Sequence, residues 1–339
     1  MKLIPEWSES AAILLVWPHE NSDWVEDLIA VEQVYLALVG HLQTVTQVII
    51  FCGNEPLQNR LQQQFNALNF SNLTLLHQPS NDTWIRDYGP ITAATDDHFV
   101  FNKFIFNGWG GKFAAPLDNQ LFVESAKKSP FAGTPLIQQQ LILEGGSIDY
   151  DGDGCLLTTE HCLLNKNRNP HFSKQDYQQF FKTNFTIEKV HWLNSGMLIG
   201  DDTDSHVDML ARFCPNKKIV YCQSVDASDP HHSHLVAMEQ QLKTLTDSNE
   251  DPYQLIPIPL PEPIYHAKER LPASYLNFLI CNGIVLVPIY EQARDELAIM
   301  QLQKAFPQHR LIPVYSTPLI RQHGAIHCIS MQIPQGALT

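Results

Sequence analysis

The segment GDDTDSHVD, Gly200 to Asp208, sets four aspartates around one histidine with no lysine or arginine among them. Asp201, Asp202, Asp204 and Asp208 concentrate negative charge, which is costly unless a metal, a cationic substrate or a structural arginine comes to it. Apolar and polar residues alternate from His206 through Asp208 to Leu210, which predicts a strand with His206 and Asp208 on one face. A titratable imidazole beside carboxylates on a rigid element suits acid–base work. A solvated turn feeding a strand is the plainer reading of the same residues.

Three more motifs fall in step with this one. Asp87 sits in NDTWIRDYGP, Glu144 in LEGGS and Cys328 in HGAIHCIS; with His206 they are separated by 57, 62 and 122 residues, the last being twice 61. A cysteine, a histidine and several carboxylates, with no Ser or Asn partner evident, suit nucleophilic attack on a cationic carbon. A guanidinium fits: it is planar, permanently charged and gives paired hydrogen bonds to carboxylates. Two aspartates would hold it flat, and its resonance-deactivated carbon needs a thiolate nucleophile. One cysteine in an apolar run, taken alone, reads as a core thiol; the shared phase favours a nucleophile. His206 would give a proton to departing ammonia and then activate water. Alternation turns His327 away from Cys328, so His327 is the weaker candidate. Trp84, Trp109 and Phe113 accompany these motifs, and both cation–π contact with an alkyl-guanidinium and ordinary packing suit them.

The elements that must carry these residues repeat. Strand-type apolar runs occur at 48–51, 73–76, 99–106, 219–222 and 284–290, and amphipathic helical stretches centre near 61, 123, 178, 240 and 299. A period of roughly sixty residues predicts a repeated α/β unit whose copies close on one another, bringing residues of one phase to a shared pocket. The fifth in-phase position falls near 267, in the Tyr265–Ala273 loop, and carries no motif, so it is expected at the rim. An earlier helix with Trp24, Leu28, Val31, Tyr35, Leu38 and Leu42 on one face stands outside the spacing.

Net charge is −14 over 339 residues, 44% of them hydrophobic. That balance excludes nucleic acid and an anionic membrane as natural partners and favours a cationic small molecule. No run approaches a membrane span, and no basic start or cleavage site accompanies the apolar stretch Ala11–Trp17. Seven cysteines, an odd number without a CxxC, indicate free thiols in a reducing cytoplasm. Residues 1–339 read as one catalytic domain, and a homo-oligomer is left open.

Two other segments resemble metal sites. DYDGDGCLLTTE, Asp149 to Glu160, matches a calcium-loop pattern, which would make the chain a calcium-binding module. Gly145 and Gly146 break any incoming helix, and two Asp-Gly pairs between strand-like flanks predict a hairpin instead. His231, His232 and His234 follow Asp229-Pro230 and read as an exposed loop opening a helix rather than a metal site. Gly108, Gly110 and Gly111 do not form a phosphate loop.

WPHE at Trp17, NDTWIRDYGP, FNGWGGKF, LEGGSIDYDGDGCLLTTEHCLLNKNRNP, GDDTDSHVD, ERLPASYLNF and LIRQHGAIHCISMQIP occur in one order along nearly the whole chain. In these motifs the chain resembles the agmatine deiminase family and its bacterial peptidylarginine deiminase relatives. The resemblance implies a five-bladed α/β propeller. It also implies cofactor- and metal-free hydrolysis of agmatine to N-carbamoylputrescine and ammonia, through a thiouronium on cysteine. By motif, Cys328 is similar to the nucleophile, His206 to the acid–base, Asp87 and Asp208 to the guanidinium-binding aspartates, and Glu144 to a carboxylate at the site. Trp84, Trp109 and Asp202 are expected to contact substrate. A peptidylarginine or other guanidine deiminase is the alternative on the same scaffold. The chain departs from the family at Arg321–Ala325, where many relatives have a glycine run, and at Ser205, where a glycine is common.

Overall fold

The computed structural model describes residues 1–338 as a mixed α/β chain with five sheets of three or four strands and one two-stranded ribbon. Each sheet is built the same way. Two antiparallel strands are followed by a helix that carries the chain back to a third strand, parallel to the second. Cys155–Thr159 pairs antiparallel with Ile148–Tyr150 and parallel with Lys189–Leu193, the helix Lys174–Phe185 lying between. Ile284–Ile289 does the same with Leu279–Cys281, helix Arg294–Ala305 and Arg310–Tyr315. Sheets around Phe99–Ile105 and Lys218–Gln223 follow the pattern with helices Pro116–Ser125 and His232–Leu242.

The remaining sheet draws on distant parts of the chain. Ser330–Pro334 pairs antiparallel with Ser10–Val16, which runs parallel to Gln47–Cys52, itself parallel to Leu73–His77. By the pattern of the other four, the crossover helix of this unit is Leu28–Leu42. Helix Glu55–Ala67 and strand Leu73–His77 are then an addition to the unit. This accounts for the helix that the sixty-residue spacing left over.

Local sequence explains these elements. Ile13–Val16 and Val48–Cys52 are fully buried, as expected of central strands covered on both faces. Asn54 caps helix Glu55–Ala67 by accepting from Leu57 N at 2.8 Å, with Pro56 in its first turn. Ser173 and Asp176 form a capping box on Lys174–Phe185. The 149–160 segment is a hairpin, as expected. Asp151 Oδ1 accepts from Asp153 N and Cys155 N at 2.8 Å, and Glu160 pairs with Lys174 instead of turning inward.

Other expectations need correction. Residues 206–210 are not a strand: Val207–Met209 is a single 3₁₀ turn, and the strand begins at Ala211. Residues 326–329 form turns ahead of Ser330–Pro334. His231 is buried, not exposed: its Nε2 accepts from Ile199 N at 2.7 Å and its Nδ1 faces Asp229. None of residues 265–273 lines the substrate-sized cavity described below; this segment packs behind Gly200 instead.

Candidate active site

The loops that precede or follow the strands bring Asp87, His206, Asp208 and Cys328 to one cavity of about 480 Å³. Trp84, Trp109 and Asp202 line it too. Asp87 lies on the short helix Ile85–Tyr88, fixed by Trp109 Nε1, which donates to Oδ2 at 2.9 Å, and by Gly146 N, which donates to Oδ1 at 2.9 Å. His206 Nδ1 stands 3.7 Å from Asp87 Oδ1. The approach depends on glycine. A Cβ on Gly146 would sit 2.7 Å from His206 Nδ1 and 2.9 Å from Asp87 Oδ1.

The aspartate cluster divides into two roles. Asp201 accepts from Thr203 and Ser205 and shapes the turn, while Asp204 pairs with Lys112 and Arg168 at 2.8 and 2.6 Å. Asp202 and Asp208 face the cavity, and Asp201 lines it too. So the neutralising cations come from outside the motif. Ser205 holds φ +65° and His323 φ +69°, both where relatives have glycine by the resemblance above. Both non-glycine residues therefore carry left-handed backbone in or beside the segments that line the cavity, as Trp109 does.

Glu144 is fully buried and does not line the cavity. Arg168 Nε lies 2.9 Å from both its carboxylate oxygens. Glu144, Cys162 and His206 hold ligand-type atoms within 4.8 Å of one another. With both Glu144 oxygens already occupied by a guanidinium, this cluster has its cation and fits a divalent ion poorly.

Sequence reasoning missed Asn277. Its Nδ2 lies 3.1 Å from Cys328 Sγ and 3.2 Å from Asp208 Oδ2, while its Oδ1 accepts from the backbone N of His327 and Cys328. The thiol therefore has an asparagine neighbour after all, supplied by the fifth repeat ten residues beyond the position where the phase pointed. Asn277 lies in the motif ERLPASYLNF, whose alternation does not single out the asparagine. Cys328 Sγ is also 3.7 Å from Asp208 Oδ2.

The electrostatics follow from burial and crowding. Burial pushes the Cys328 thiol well up, and Asp208 and Asp87 push the same way. Burial also raises Asp87. For Asp208 burial is outweighed by the hydrogen bond and charge of His327, and its carboxyl is held below the usual range. Burial works against a charged His206, but Asp87, Cys162 and Glu144 together raise it well above 6.5. A thiol thus stands beside two buried carboxylates and a histidine that holds its proton tightly, an arrangement that favours an incoming cation. The other six cysteines are buried and free; burial pushes Cys52, Cys222 and Cys281 up to about 12.

The profile of the Porphyromonas-type peptidyl-arginine deiminases matches residues 2–334. The chain belongs to that family. A Campylobacter jejuni agmatine deiminase, solved as a cysteine-to-serine variant with substrate bound, is 35% identical with a TM-score of 0.91, over 99% of this chain and 96% of that one. A Porphyromonas gingivalis chain assigned as an arginine deiminase is 39% identical, TM-score 0.90, over 98% of each. Pseudomonas syringae agmatine deiminase is 29% identical over 97% of this chain and 94% of its own length.

Proposed function

We propose that the chain is an agmatine deiminase, a hydrolase acting on a C–N bond of a guanidino group. The observation that carries the choice of substrate is the cavity wall. Asp23, Asp82, Asp87, Asp201, Asp202 and Asp208 line it, and among the described residues no arginine or lysine does. Agmatine carries a positive charge at each end. Free arginine adds an α-carboxylate, which would meet this aspartate-rich wall with no arginine or lysine to pair with.

In this reading Asp87 and Asp208 clamp the guanidinium with paired charge-assisted bonds. The arriving charge offsets the two carboxylates that hold the Cys328 thiol up, so the thiol gives its proton to solvent and the thiolate forms next to its target. Sulfur attacks the guanidinium carbon and a tetrahedral adduct forms. His206 gives its proton to the amino group, the C–N bond breaks, and ammonia leaves a thiouronium on Cys328. Water then attacks with His206 as base, the C–S bond breaks, and N-carbamoylputrescine leaves. Glu144, paired to Arg168, serves by holding charge near His206 rather than by touching substrate. Trp84, Trp109 and Asp202 flank the alkyl chain and amine.

We further read the five similarly built sheets as the blades of a propeller around this cavity, with residues 1–339 as one catalytic domain. Free thiols suit a reducing cytoplasm, and no described helix is long and apolar enough to cross a membrane. Side-by-side assay of ammonia and carbamoyl product from agmatine, free arginine and a blocked arginine peptide tests the reading. Agmatine should have much the highest kcat/KM. Preference for either arginine compound points to the alternative deiminases of the same family.

A further inference from the structure

Glu6 belongs to none of the motifs, and nothing in its sequence neighbourhood suggests chemistry. It lies on the stretch between strand Lys2–Leu3, paired with Ile91–Ala94, and strand Ser10–Val16, paired with Ser330–Pro334. Gln335 N donates to Glu9 O at 2.8 Å, so the stretch is held at both ends. It carries the Glu6 carboxylate in behind the catalytic turns. There Oε1 and Oε2 lie 2.8 and 3.0 Å from His327 Nε2, Arg86 Nη1 donates at 3.0 Å, and Arg212 Nη2 and Gln332 Nε2 donate to Oε2.

The His327 ring spans the gap to the active site. Its Nδ1 stands 2.7 Å from Asp208 Oδ2, and the ring is 1% exposed. Asp208 Oδ2 also faces Asn277 Nδ2, while Asp208 Oδ1 is buried with no partner. The Glu6 side chain, 21% exposed, opens on a different cavity of about 660 Å³ that shares no lining residue with the substrate cavity.

We propose that Glu6 is a positioning residue for the reaction: through His327 it fixes the orientation and charge of Asp208, presenting Oδ1 to the substrate cation. A carboxylate rotates freely about its last bond unless one oxygen is anchored. An imidazole holds that oxygen firmly only if its own ring is held at the other nitrogen, the logic of carboxylate–histidine pairs behind metal ligands. With a carboxylate oxygen at each nitrogen, a proton sits on both nitrogens or on one of the carboxyls. Arg86 and Arg212 favour Glu6 as the ionised partner, against the burial that opposes it. The ring is thereby held between the two carboxylates, and Asp208 is kept below the usual carboxylate range. The arginines next to Asp87 and after Asp208 in the sequence are thus spent on Glu6, 3.0 Å away in the case of Arg86.

The proposal rests on the deiminase reading only for the identity of the cation. A double-mutant cycle tests it. Glu6→Gln keeps the reach and removes the charge; His327→Asn keeps a donor toward Asp208 and removes the link to Glu6. Each should lower kcat/KM for agmatine roughly ten- to hundredfold, as loss of such outer partners does. The double variant should lose no more than the worse single variant, because both break one chain of contacts. Glu6→Asp, which keeps the charge for Arg86 and Arg212 but withdraws the carboxylate from His327, should fall with Glu6→Gln and replaces it in the cycle if that variant does not fold. Additive losses, or parental kcat/KM in the Glu6 variants, overturn the relay.

A substrate-free readout separates this from the choice of substrate. Asp208 faces Cys328 Sγ, so the rate of Cys328 alkylation by iodoacetamide, followed on its peptide by mass spectrometry, reports on Asp208. Glu6→Gln and His327→Asn should change that rate by a similar factor and the double variant by no more. If no guanidine is turned over, this cycle still decides: coupled changes support the relay, and unchanged or additive rates sink it.

Discussion

Trp109 Nε1 donates to Asp87 Oδ2 at 2.9 Å from a residue whose own backbone is left-handed, with φ +53° and ψ +50°. An indole placed this way is held by strain, flanked by Gly108 and Gly110 at positive φ and packed edge-on against Phe106 and Phe113. Trp109→Phe keeps most of the packing and removes one bond to a buried carboxylate, worth about 1.5–3 kcal/mol. The expected loss in kcat/KM is roughly ten- to hundredfold, with little change in melting temperature. Parental kinetics would mean that Asp87 is oriented by Gly146 alone.

Cys328→Ser should fold and not turn over, since a hydroxyl is far less ionised than a thiol in this carboxylate-lined pocket. Trapping the stalled parental reaction should place the adduct on the peptide that contains Cys328. An adduct on Cys162 instead, or an active serine variant, would move the nucleophile elsewhere.

Asp87→Asn and Asp208→Asn preserve size. At position 87 both oxygens accept N–H donors, so an amide must turn its NH₂ toward one of them. At position 208 His327 and Asn277 both face Oδ2, so an amide keeps its oxygen there and turns its NH₂ to the unpartnered Oδ1 side, where the guanidinium would arrive. Removing one member of a buried charge set costs about 3–5 kcal/mol, and kcat/KM should fall by several orders of magnitude in each. Near-parental activity in both variants would contradict the clamp.

His206 gives a pH prediction. Its folded pKa lies above the unfolded 6.5 because Asp87, Cys162 and Glu144 outweigh burial. The folded state holds the proton more tightly, so the stabilisation is complete below 6.5 and is lost as pH rises through the folded value. The melting temperature of the parent minus that of His206→Gln should therefore be largest in acid and shrink toward alkali. Activity should fall on the alkaline side over the same range, as the general acid is lost. A difference that grows with pH has the wrong sign for an imidazolium.

The 149–160 hairpin should not bind calcium. Asp149 is tied to Arg212 and Phe213 N, Asp151 closes the turn, and Glu160 pairs with Lys174. Calorimetry on chelator-treated protein should be flat in the micromolar range typical of sensor loops, about 10⁻⁷–10⁻⁵ M. Asp151→Ala should cost about 1 kcal/mol of stability through the lost turn bonds. A one-to-one calcium isotherm abolished in Glu160→Gln would reverse the assignment.

Much of the scaffold was legible because it is periodic. Apolar runs marked strands, and helices centred near 178 and 299 lie at Lys174–Phe185 and Arg294–Ala305. The spacing chose the wrong helix of the first pair, since Glu55–Ala67 is the addition and Leu28–Leu42 the repeat's own. The phase of Asp87, His206 and Cys328 anticipated a shared cavity for the same reason. Turns broke the reasoning. Strand alternation at 206–210 and 326–329 gave side-chain directions that a 3₁₀ turn and a reverse turn do not obey. His206 and Asp208 still face one cavity, though not by alternation, and His327 proved to be bound to Asp208 rather than idle on a far face. Asn277, Arg168 and Glu6 reach the site across 51, 36 and 321 residues of chain to Cys328, Asp204 and His327. Contacts of that range leave no local signature.

The pairing of Ser330–Pro334 with Ser10–Val16 has a consequence for how the thiol comes to life. Cys328 lies two residues ahead of that strand, so its place beside Asp87 and Asp208 is set by a contact between segments far apart along the chain. Such long-range pairings form late and slowly. On refolding from denaturant, the carboxylates and histidine can assemble before this pairing sets the nucleophile among them. Turnover should then appear in one step with the pairing of Ser330–Pro334 and Ser10–Val16, with no partly active intermediate.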